Sequence, residues 1–359
     1  MQPRFSICIP NYNYARYISE TIESVISQCD ADFEINVSDN SSTDDSIRVI
    51  EGFRLRYPNV QLRTSRRNIG FPANVARAAE MASGDYMILL SSDDTCAPGA
   101  LAAYTELYTA LEDRATTSVV ASTVNVIDAE GKVLGSRGLD WKLWQGATLD
   151  GLKSDRLGVK VYRTDPESLL RRSLQLLRSP FAFASTCYSR QLYQQVEGYH
   201  HGAAFNPDKR FAWDLITEAS DVYFIDHPCF NYRVHAGNQA AIQAGTGALR
   251  HLVDEYNATL SVSEDTLRRA GMSREDLCVA FIEQDIGLRG LREVAAGNRH
   301  LARRMLRFGL ACYPTIAARN KIISLLRTSL AVGPLGTMIA SRVKGAAERR
   351  WNIKEAGGQ

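Results

Sequence analysis

Residues 68–94 read NIGFPANVARAAEMASGDYMILLSSDD, and this stretch decides the fold class. A glycine turn opens an amphipathic helical pattern that ends at 83–85, and a fully apolar run follows at 86–90. Two adjacent carboxylates, Asp93 and Asp94, follow the C-terminal end of this run. Open α/β sheets bind ligands at the carboxyl ends of their strands, and a carboxylate pair there suits a hard divalent cation held against phosphate oxygens. The stretch therefore predicts chemistry on a nucleotide-linked substrate.

Strand and helix patterns alternate over the first part of the chain. Further apolar strand patterns cover 5–9, 33–38, 60–63 and 119–127, with helical patterns of roughly ten to fifteen residues between the earlier ones. This alternation indicates βαβ units, so we expect an α/β fold with a mixed, mainly parallel sheet flanked by helices. We predict one domain over 1–240, divided into a nucleotide-binding half, 1–112, and a more mixed acceptor half, 113–240. A mainly helical, basic appendage is predicted for 241–359.

Charge is distributed unevenly along the chain. The net charge of +2 gives no sign of a nucleic-acid partner, but 14 of the 42 basic residues and only 2 of the 40 acidic residues lie within 287–354. Basic amphipathic helices favour anionic membrane surfaces, so we expect this region to lie on such a surface; a solvated face of a helical bundle is the alternative. The basic side chains concerned are Arg299, Arg303, Arg304, Arg307, Arg319, Lys321, Arg327, Arg342, Lys344, Arg349 and Arg350.

The cysteine pattern and the N-terminus bear on the compartment. The seven cysteines are odd in number and widely spaced, without a C-x-x-C pair, which argues against a disulfide framework and against a zinc cluster. The N-terminus enters a strand pattern directly, without the apolar block of a signal peptide. We therefore expect a cytoplasmic protein, or one held peripherally on the inner face of the membrane through its basic region.

Polar residues follow the first two predicted strands. Pro10, Asn11 and Tyr12 form the turn after the first strand, where asparagine supplies donors and acceptors and tyrosine can stack on a base or sugar. Asp39 ends the second strand and can accept the N3–H of uracil or bind a ribose hydroxyl. The structural alternatives are an ordinary polar turn for the first group and a helix cap with its turn for Asp39.

Two later segments carry further candidates. Asp214 is predicted to open a helical stretch over 214–219, where the helix N-terminus favours an ionised carboxylate and so a general base; capping alone is the alternative. Arg233 and His235 are predicted to close a β-hairpin region and suit a clamp on a diphosphate or a metal, whereas a structural histidine is the alternative. A helix cap is likewise the alternative for Asp93.

Taken together, these segments resemble family 2 glycosyltransferases, which have the Rossmann-like GT-A fold. The resemblance covers about residues 4–240. Its parts occur in the order of the family: SICIPNYN, VSDNSSTDDS, NIGFPANVARAAEMASGDYMILLSSDD, FAFASTCYSR followed by VEGY, FAWD, and YRVHAGN. Six segments in order are specific for the family, though not for a substrate.

The resemblance implies a nucleotide site and a metal site. In the family, the first turn and the acidic residue after the second strand hold the nucleotide, and the D-x-D motif binds Mg²⁺ or Mn²⁺ on the diphosphate. The nucleotide-binding candidates here are Pro10, Asn11, Tyr12, Asp39, Asn68, Ser92 and Asp93. This chain has Ser91 in place of the first aspartate of D-x-D, while Asp93 matches the aspartate that contacts the metal. His235 is the second candidate metal contact.

The resemblance also implies roles for the later residues. The catalytic base of the family is an aspartate in an E-D-like pair, and Asp214 matches it, with Trp213 where glutamate is common. Arg233 and His235 match a distal motif that closes over the diphosphate. Asp94, Trp213 and Arg233 are accordingly predicted to contact the diphosphate or the acceptor.

The function implied is an inverting glycosyltransferase that moves a sugar from a nucleoside diphosphate sugar, with UDP favoured, to an acceptor hydroxyl. The implied acceptor is a glycan or lipid-linked glycan in surface-polysaccharide or O-antigen assembly. A sugar nucleotidyltransferase would share the sheet and the metal, but it usually carries a Gly-rich, basic first loop. A dehydrogenase would need G-x-G-x-x-G after the first strand, and this chain has PNYNY there. A non-catalytic nucleotide-sugar binding module is the remaining alternative. In such a module Asp93 or Asp214 would have no catalytic role.

Overall fold

The computed structural model describes residues 4–29, 31–199, 207–238, 248–333, 335–338 and 340–342. The chain divides into two compact units. The first, the sheet unit, runs to residue 238 apart from 174–178, and the second, the helical unit, comprises 174–178 and the chain after 238. The boundary predicted after residue 240 lies outside the described residues.

The described residues of the sheet unit form an 11-stranded sheet. The strands are β1 Arg4–Asn11, β2 Asp32–Asp39, β3 Val60–Thr64, β4 Tyr86–Leu89, β5 Thr95–Cys96, β6 Ser118–Ile127, β7 Val133–Arg137, β8 Thr148–Leu149, β9 Val161–Thr164, β10 Cys187–Ser189 and β11 Asp221–Arg233. Their order is β3-β2-β1-β4-β10-β6-β11-β9-β8, with β5 paired to β11 and β7 paired to β6. The predicted fold class, α/β with a mixed sheet, is confirmed.

Strand direction decides which strand ends meet. β1 to β4 form a parallel group, and β6 and β11 form a second parallel pair. β10 lies between the two groups and is antiparallel to both β4 and β6, so the two groups run in the same direction. The carboxyl ends of β1, β2, β4 and β11 therefore lie along one edge of the sheet, which is where open α/β sheets bind ligands.

Helices of the sheet unit cover the apolar sheet. They are α1 Ile18–Ile26, α2 Ser46–Arg54, α3 Phe71–Ala79, α4 Ala100–Leu111, α5 Gly151–Leu157, α6 Pro166–Leu176, α7 Arg190–Gln195 and α8 Pro207–Glu218. The end of α6, from residue 174, is counted with the helical unit. In α1, apolar side chains recur at helical spacing, and Ile18, Ile22 and Val25 are buried in one cluster with Ile7 and Ile9 of β1.

Close packing fixes the turn before β4. A β-carbon on Gly84 would lie 2.8 Å from Arg4 O and 2.9 Å from Ser6 Oγ, so only glycine fits without a shift. Gly84 N donates to Ser6 Oγ at 2.9 Å. Glu34 on β2 accepts from Ser83 N and Ser83 Oγ at 2.6 Å each. The Ser-Gly-Asp turn thus ties the segment after α3 to β1 and β2.

The predicted β-hairpin that closes at 231–235 is wrong. Asp221–Arg233 is one continuous strand of 13 residues. Its register with β6 shifts between Ile225 and Pro228 and again between Pro228 and Phe230. Proline lacks the N–H that a ladder needs and is found at bulges, so Pro228 marks an irregularity within β11 rather than a turn.

The helical unit has its own packed core. Its described helices are Ala248–Ser261, Glu264–Arg269, Arg274–Phe281, Arg289–Ala295, Arg299–Cys312, Pro314–Arg319 and Lys321–Ala331, with a π-helical segment at Ile282–Leu288. Leu291, Val294 and Leu326 are buried together in one cluster. A β-carbon on Gly290 would lie 2.7 Å from Leu326 Cδ2, so glycine permits the close helix packing. No helix in the described part of the chain is long and apolar enough to cross a bilayer.

Candidate active site

The first predicted group meets at the ends of β1 and β2. Asn11 pairs with Asp39 in the sheet register, and Asn11 Nδ2 donates to Asp39 Oδ2 at 2.8 Å. Asp39 is buried and also accepts from Ser42 N at 2.9 Å and from Ser42 Oγ at 2.6 Å. The carboxylate is therefore held rigidly at the ligand-binding edge. The same hydrogen bonds also form the polar turn that was the structural alternative. The geometry is therefore compatible with a nucleotide contact by Asp39 and with a purely structural turn.

Three further nucleotide-binding candidates differ in exposure and hydrogen bonding: Tyr12, Pro10 and Asn68. Tyr12 is 41% exposed, which leaves its ring available for stacking. Pro10 is a buried residue of β1. Asn68 Oδ1 accepts from Gly70 N at 2.8 Å and from Asn40 Nδ2 at 2.9 Å. Gly70 has φ of +85°, so Asn68 holds a turn whose backbone conformation favours glycine.

Asp93 follows β4 and is hydrogen-bonded to two residues that follow β11. Its Oδ2 lies 3.0 Å from His235 Nε2 and accepts from Asn238 Nδ2 at 3.2 Å. β5 follows Asp93 closely and pairs with β11, which brings the two strand ends together. Ser92 is buried, and its carbonyl accepts from Thr21 Oγ1 at 3.1 Å. The structure thus places the two predicted metal contacts side by side.

Arg233 is buried and holds the loop that carries Asp93. Its Nε donates to Asp93 O at 2.8 Å, and its backbone N donates to Asp94 Oδ1 at 2.9 Å. Arg233 Nη2 forms an ion pair with Glu20 Oε2 at 2.7 Å, and the guanidinium lies 5.0 Å from the centre of the Tyr17 ring. Asp94 is buried as well. Both residues therefore support the loop, and their predicted contact with diphosphate or acceptor stays a prediction.

The two adjacent carboxyls are poorly compensated by the protein alone. Burial raises the pKa of Asp93, and the hydrogen bond and charge of His235 offset this only in part. Burial raises the pKa of Asp94 well above its ordinary value, and the charge of Asp93 raises it further. A cation beside the pair would favour the ionised form of both groups.

The hydrogen bonds of His235 indicate its tautomer. Nδ1 accepts from Gly237 N at 3.1 Å, so the neutral ring carries its proton on Nε2, which donates to Asp93. The ring packs against Tyr17 and Tyr14, with centroid separations of 4.8 and 5.9 Å. In this tautomer Nε2 has no lone pair for a metal but can donate to an anionic oxygen. A metal contact by His235 would require the other tautomer and loss of the Gly237 bond.

The residues present fit a divalent cation through Asp93. Among the described residues, no group of three His, Cys, Asp or Glu side chains could hold a metal by itself. Mg²⁺ is usually bound through one or two carboxylates together with substrate phosphates and waters. The carboxyl pair at 93–94, only partly compensated by its protein partners, matches that requirement, with the phosphates supplied by the nucleotide.

The sequence analysis predicted that a helix begins at Asp214, and this is wrong. α8 begins at Pro207, so Asp214 lies well inside the helix. The helix dipole acts on charges in the first turn, and Asp214 lies beyond that turn. Its carboxylate pairs with Arg210 Nε at 2.8 Å. Trp213 is fully buried, and its Nε1 donates to Ser173 Oγ at 2.7 Å, so the indole is part of the core rather than a ligand contact. The missed start signal was a proline followed by an acidic residue.

Sequence reasoning missed two supporting residues. Asn238 donates to Asp93 and also to Arg233 O at 2.9 Å. Its fixed spacing after His235 in the YRVHAGN segment was the available signal. Tyr17 contacts both His235 and Arg233, and no local pattern marks it because its partners lie far away in the chain.

Comparison with known proteins gives a family match. Residues 6–174 match the family model described as Glycosyl transferase family 2. The chondroitin synthase of Escherichia coli is 31% identical over 142 residues, which is 40% of this chain and 20% of that protein. Abequosyltransferase RfbV of Salmonella typhimurium is 38% identical over 101 residues, which is 27% of this chain and 30% of that protein. This chain therefore spans only a minor part of these relatives.

Solved structures show the same fold. Staphylococcus aureus TarS 1-349 in complex with UDP-GlcNAc has a TM-score of 0.60 at 16% identity, over 97% of this chain and 92% of that chain. The mannosyltransferase PcManGT from Pyrobaculum calidifontis, in complex with GDP-Man and Mn²⁺, has a TM-score of 0.51 at 16% identity, over 97% of this chain and 87% of that one. At this identity the likeness concerns the fold alone.

The fold and the site together define a class of protein. A mixed sheet of the GT-A fold presents fixed carboxylates and an imidazole along its carboxyl edge. Residues 6–174 of this chain match glycosyltransferase family 2. The resemblance inferred from the six sequence segments is confirmed.

Proposed function

We propose that this chain transfers a sugar from a nucleoside diphosphate sugar to an acceptor hydroxyl, with inversion at the anomeric carbon. The observation that carries the proposal is the 3.0 Å contact between Asp93 Oδ2 and His235 Nε2, which are 142 residues apart in the chain. It brings a cation-binding carboxylate and a proton donor together at the edge that also holds Asn11 and Asp39. A sugar-nucleotide transferase needs these groups side by side to bind a nucleotide and its diphosphate.

A UDP-sugar is the donor we propose. The fixed carboxylate of Asp39 suits the N3–H of uracil, and the exposed ring of Tyr12 suits stacking on the base. The TarS structure that shares the fold is a complex with UDP-GlcNAc. Relatives named chondroitin synthase and poly(ribitol-phosphate) β-N-acetylglucosaminyltransferase support a polymeric or lipid-linked surface glycan as the acceptor.

The diphosphate is bound by groups at the ends of β4 and β11. His235 Nε2–H can turn from Asp93 to a phosphate oxygen, as oriented donors do where negative charge develops. Arg233 and Asn238 keep Asp93 in place. Mg²⁺ or Mn²⁺, held by Asp93 together with the phosphates, would act as a Lewis acid that neutralises charge on the leaving group.

The acceptor oxygen attacks the anomeric carbon on the face opposite the diphosphate, so the configuration inverts. A carboxylate takes the hydroxyl proton, and such a base typically contributes about 10²–10⁴-fold to the rate. The family resemblance assigns this role to Asp214. α8 carries a second carboxylate, Asp208.

Asp93→Asn tests the proposal. With UDP and Mn²⁺ the wild-type protein should gain thermal stability, and the variant should lose that gain while its ligand-free stability is kept, because a buried charge has been removed. Release of nucleoside diphosphate from a panel of sugar nucleotides should fall by about 10²–10³-fold, as when one electrostatic contact to the transition state is removed. Asp45→Asn is the matched control, since this carboxylate is exposed and pairs with Arg48. Full turnover by Asp93→Asn would contradict the proposal.

Reaction products separate the rival functions. A glycosyltransferase releases a nucleoside diphosphate from the donor. A sugar nucleotidyltransferase would instead use a nucleoside triphosphate and a sugar phosphate and would release pyrophosphate. A binding module would be stabilised by the sugar nucleotide without any turnover.

We also propose that the helical unit binds an anionic membrane surface, so that the enzyme works peripherally on the inner face of the membrane. Arg303, Arg304 and Arg307 are exposed on the helix Arg299–Cys312, whose opposite side buries Ala302 and Met305. Arg299 has a structural role instead, because it donates to the carbonyls of residues 329, 330 and 333. Lys344, Arg349 and Arg350 lie outside the described residues.

Vesicle flotation tests this membrane proposal. The full chain should float with phosphatidylglycerol-containing vesicles at low salt and stay unbound with neutral vesicles. Replacing Arg303, Arg304 and Arg307 by glutamate should abolish flotation without changing release of nucleoside diphosphate. Absence of binding to anionic vesicles at low salt would refute the proposal.

A further inference from the structure

The basic helices of the helical unit bury their apolar sides in the core of that unit. Ala302 on the helix Arg299–Cys312 is buried. Leu326 and Leu330 on the helix Lys321–Ala331 are buried in the same cluster. An amphipathic helix that lies on a membrane needs its apolar side free to enter the lipid. These two helices therefore present mainly their arginines to an anionic surface, and an apolar contact with lipid has to come from another segment.

Three exposed apolar side chains follow directly after the second of these helices. Val332, Leu335 and Met338 are 39%, 61% and 49% exposed, and we call them the apolar tip. Gly336 and Ala340, in the same stretch of chain, are buried. The stretch thus has an outer side as well as a side that packs on the unit. Single exposed apolar residues are common on proteins, whereas clustered ones mark surfaces for interaction.

Hydrogen bonds and close packing hold the base of the apolar tip. Arg299 donates to the carbonyls of Ser329, Leu330 and Gly333 at 3.2, 2.7 and 3.0 Å. Gly336 N donates to Gly333 O at 3.0 Å. A β-carbon on Gly336 would overlap Ser329 O, so the backbone of the tip packs directly on the end of the helix. The tip is therefore presented on a fixed support, which reduces the ordering cost of binding.

The charge around the apolar tip has one sign. Residues 294–347 contain nine Lys or Arg and no Asp or Glu. Arg327 and Arg342, on either side of the tip in the chain, are exposed. Arg303 is exposed one helical turn after Arg299, which holds the base of the tip. An anionic bilayer offers phosphates to the arginines and acyl chains to the tip. A second copy of the chain would instead bring like charges together, which is unfavourable.

We infer that Val332, Leu335 and Met338 insert into the interfacial layer of an anionic membrane, while the arginines around them bind the lipid phosphates. The inference rests on the membrane binding proposed above for the helical unit, and it names the side chains that enter the lipid. Stable peripheral anchoring takes two signals, such as an apolar group together with a basic patch. The apolar tip supplies the first signal and the exposed arginines supply the second.

A neutral double substitution separates the apolar contribution from the charge. Leu335→Gln combined with Met338→Gln leaves the charge of the surface unchanged. Partitioning of the full chain onto phosphatidylglycerol-containing vesicles at low salt should weaken by about tenfold or more, because two apolar side chains no longer enter the lipid. The matched control is Val253→Gln combined with Leu260→Gln, on the helix Ala248–Ser261, where these side chains are 41% and 52% exposed. The control should partition as wild type does.

A fluorescence measurement keeps the test decisive if the double variant fails to fold. Leu335→Trp should be quenched by lipids brominated on their acyl chains beyond the level that the native tryptophans of the wild type show. Leu260→Trp should show no such excess. Urea unfolding of each variant should resemble that of the wild type, since the replaced side chains are exposed.

The outcomes distinguish this inference from the proposals on which it depends. Wild-type partitioning by the glutamine variant at the tip, or quenching of Leu335→Trp that equals the wild-type level, would overturn the inference and leave electrostatic membrane binding in place. A dimer of the wild type in sedimentation without vesicles, dissolved by the glutamine variant, would assign the tip to a second copy and also overturn it. A wild-type chain that binds no anionic vesicle at low salt would reject the membrane proposal together with the inference. Failure to release nucleoside diphosphate would reject the proposed glycosyl transfer alone.

Discussion

At the scale of single residues, Arg233 shows how one buried cation can hold several segments of a candidate site together. Its fully buried guanidinium binds the Asp93 carbonyl, pairs with Glu20 and reaches the carbonyls of Asp128 and Ala129 at 3.4 and 3.3 Å. These partners come from separate parts of the chain. A buried charge with this many partners is costly to remove, since the partners lose their donors.

Arg233→Lys should therefore be damaging although it keeps the charge. An ammonium cannot reproduce the planar fork of donors, so we expect the free energy of unfolding in urea to fall by about 2–4 kcal/mol. Stabilisation by UDP and Mn²⁺ should weaken as well, because the loop at Asp93 loses its support. Arg48→Lys, at an exposed pair with Asp45, should leave stability essentially unchanged. Unaltered nucleotide binding in Arg233→Lys would show that the loop at Asp93 keeps its conformation without the guanidinium.

Single residues also show where sequence interpretation stops. Asp39, Asp93 and His235 could be picked out because each follows a strand pattern whose carboxyl end faces the ligand edge. Arg233 and Trp213 were assigned to ligand contact, yet both side chains are buried. Burial depends on which distant segments pack against a residue, and the local sequence does not contain that information.

At the scale of elements, long regular patterns were predictable and short ones were not. The strands and helices of 1–112 follow the predicted alternation because each covers several periods of apolar spacing. β5 and β8 have two residues each and β10 has three, too few for any periodicity, and tertiary pairing defines them. The start of α8 was placed seven residues too late because the prediction relied on the segment FAWD alone.

The turn before β4 gives a prediction at this scale. Gly84→Ala should lower the free energy of unfolding by about 1–3 kcal/mol, because the added methyl would lie 2.8 Å from the rigid carbonyl of Arg4. Gly52→Ala in α2 is the matched control, since nothing lies within 4 Å of its β-carbon, and alanine in a helix should stabilise by up to about 1 kcal/mol. Urea unfolding of both variants tests the pair. Equal effects would mean that packing at the turn is unimportant.

At the scale of the whole molecule, one buried carboxylate links several parts of the sheet unit. Glu34 on β2 accepts from Ser83, from Ser6 Oγ at 2.7 Å and from Asn36 Nδ2 at 3.0 Å. Burial alone would raise the pKa of Glu34, but these hydrogen bonds outweigh it and hold the pKa below its ordinary value. Folding therefore favours the ionised form, and the stability of the unit becomes dependent on pH.

The sign of that dependence can be measured. Because the folded pKa is depressed, Glu34 contributes stability above the unfolded pKa, about 4.3, and the contribution is lost as pH falls through the folded value. Glu34→Gln should lower the free energy of unfolding by about 1–3 kcal/mol at neutral pH, with the difference from wild type shrinking in acid. Glu80→Gln, at a carboxylate that is 55% exposed, should show little effect at any pH. A difference that stays constant with pH would exclude this account.

The pairing of β5 with β11 has a practical consequence for engineering. A break in the chain between α4 and β6 would leave Asp39 and Asp93 on one fragment and His235 on the other. β10 and β6, both carried by the second fragment, would have to rejoin the first through the pairing of β10 with β4 before the candidate site could re-form. Affinity for the nucleotide would then report reassembly directly, which makes this fold a candidate for fragment complementation with a chemical readout.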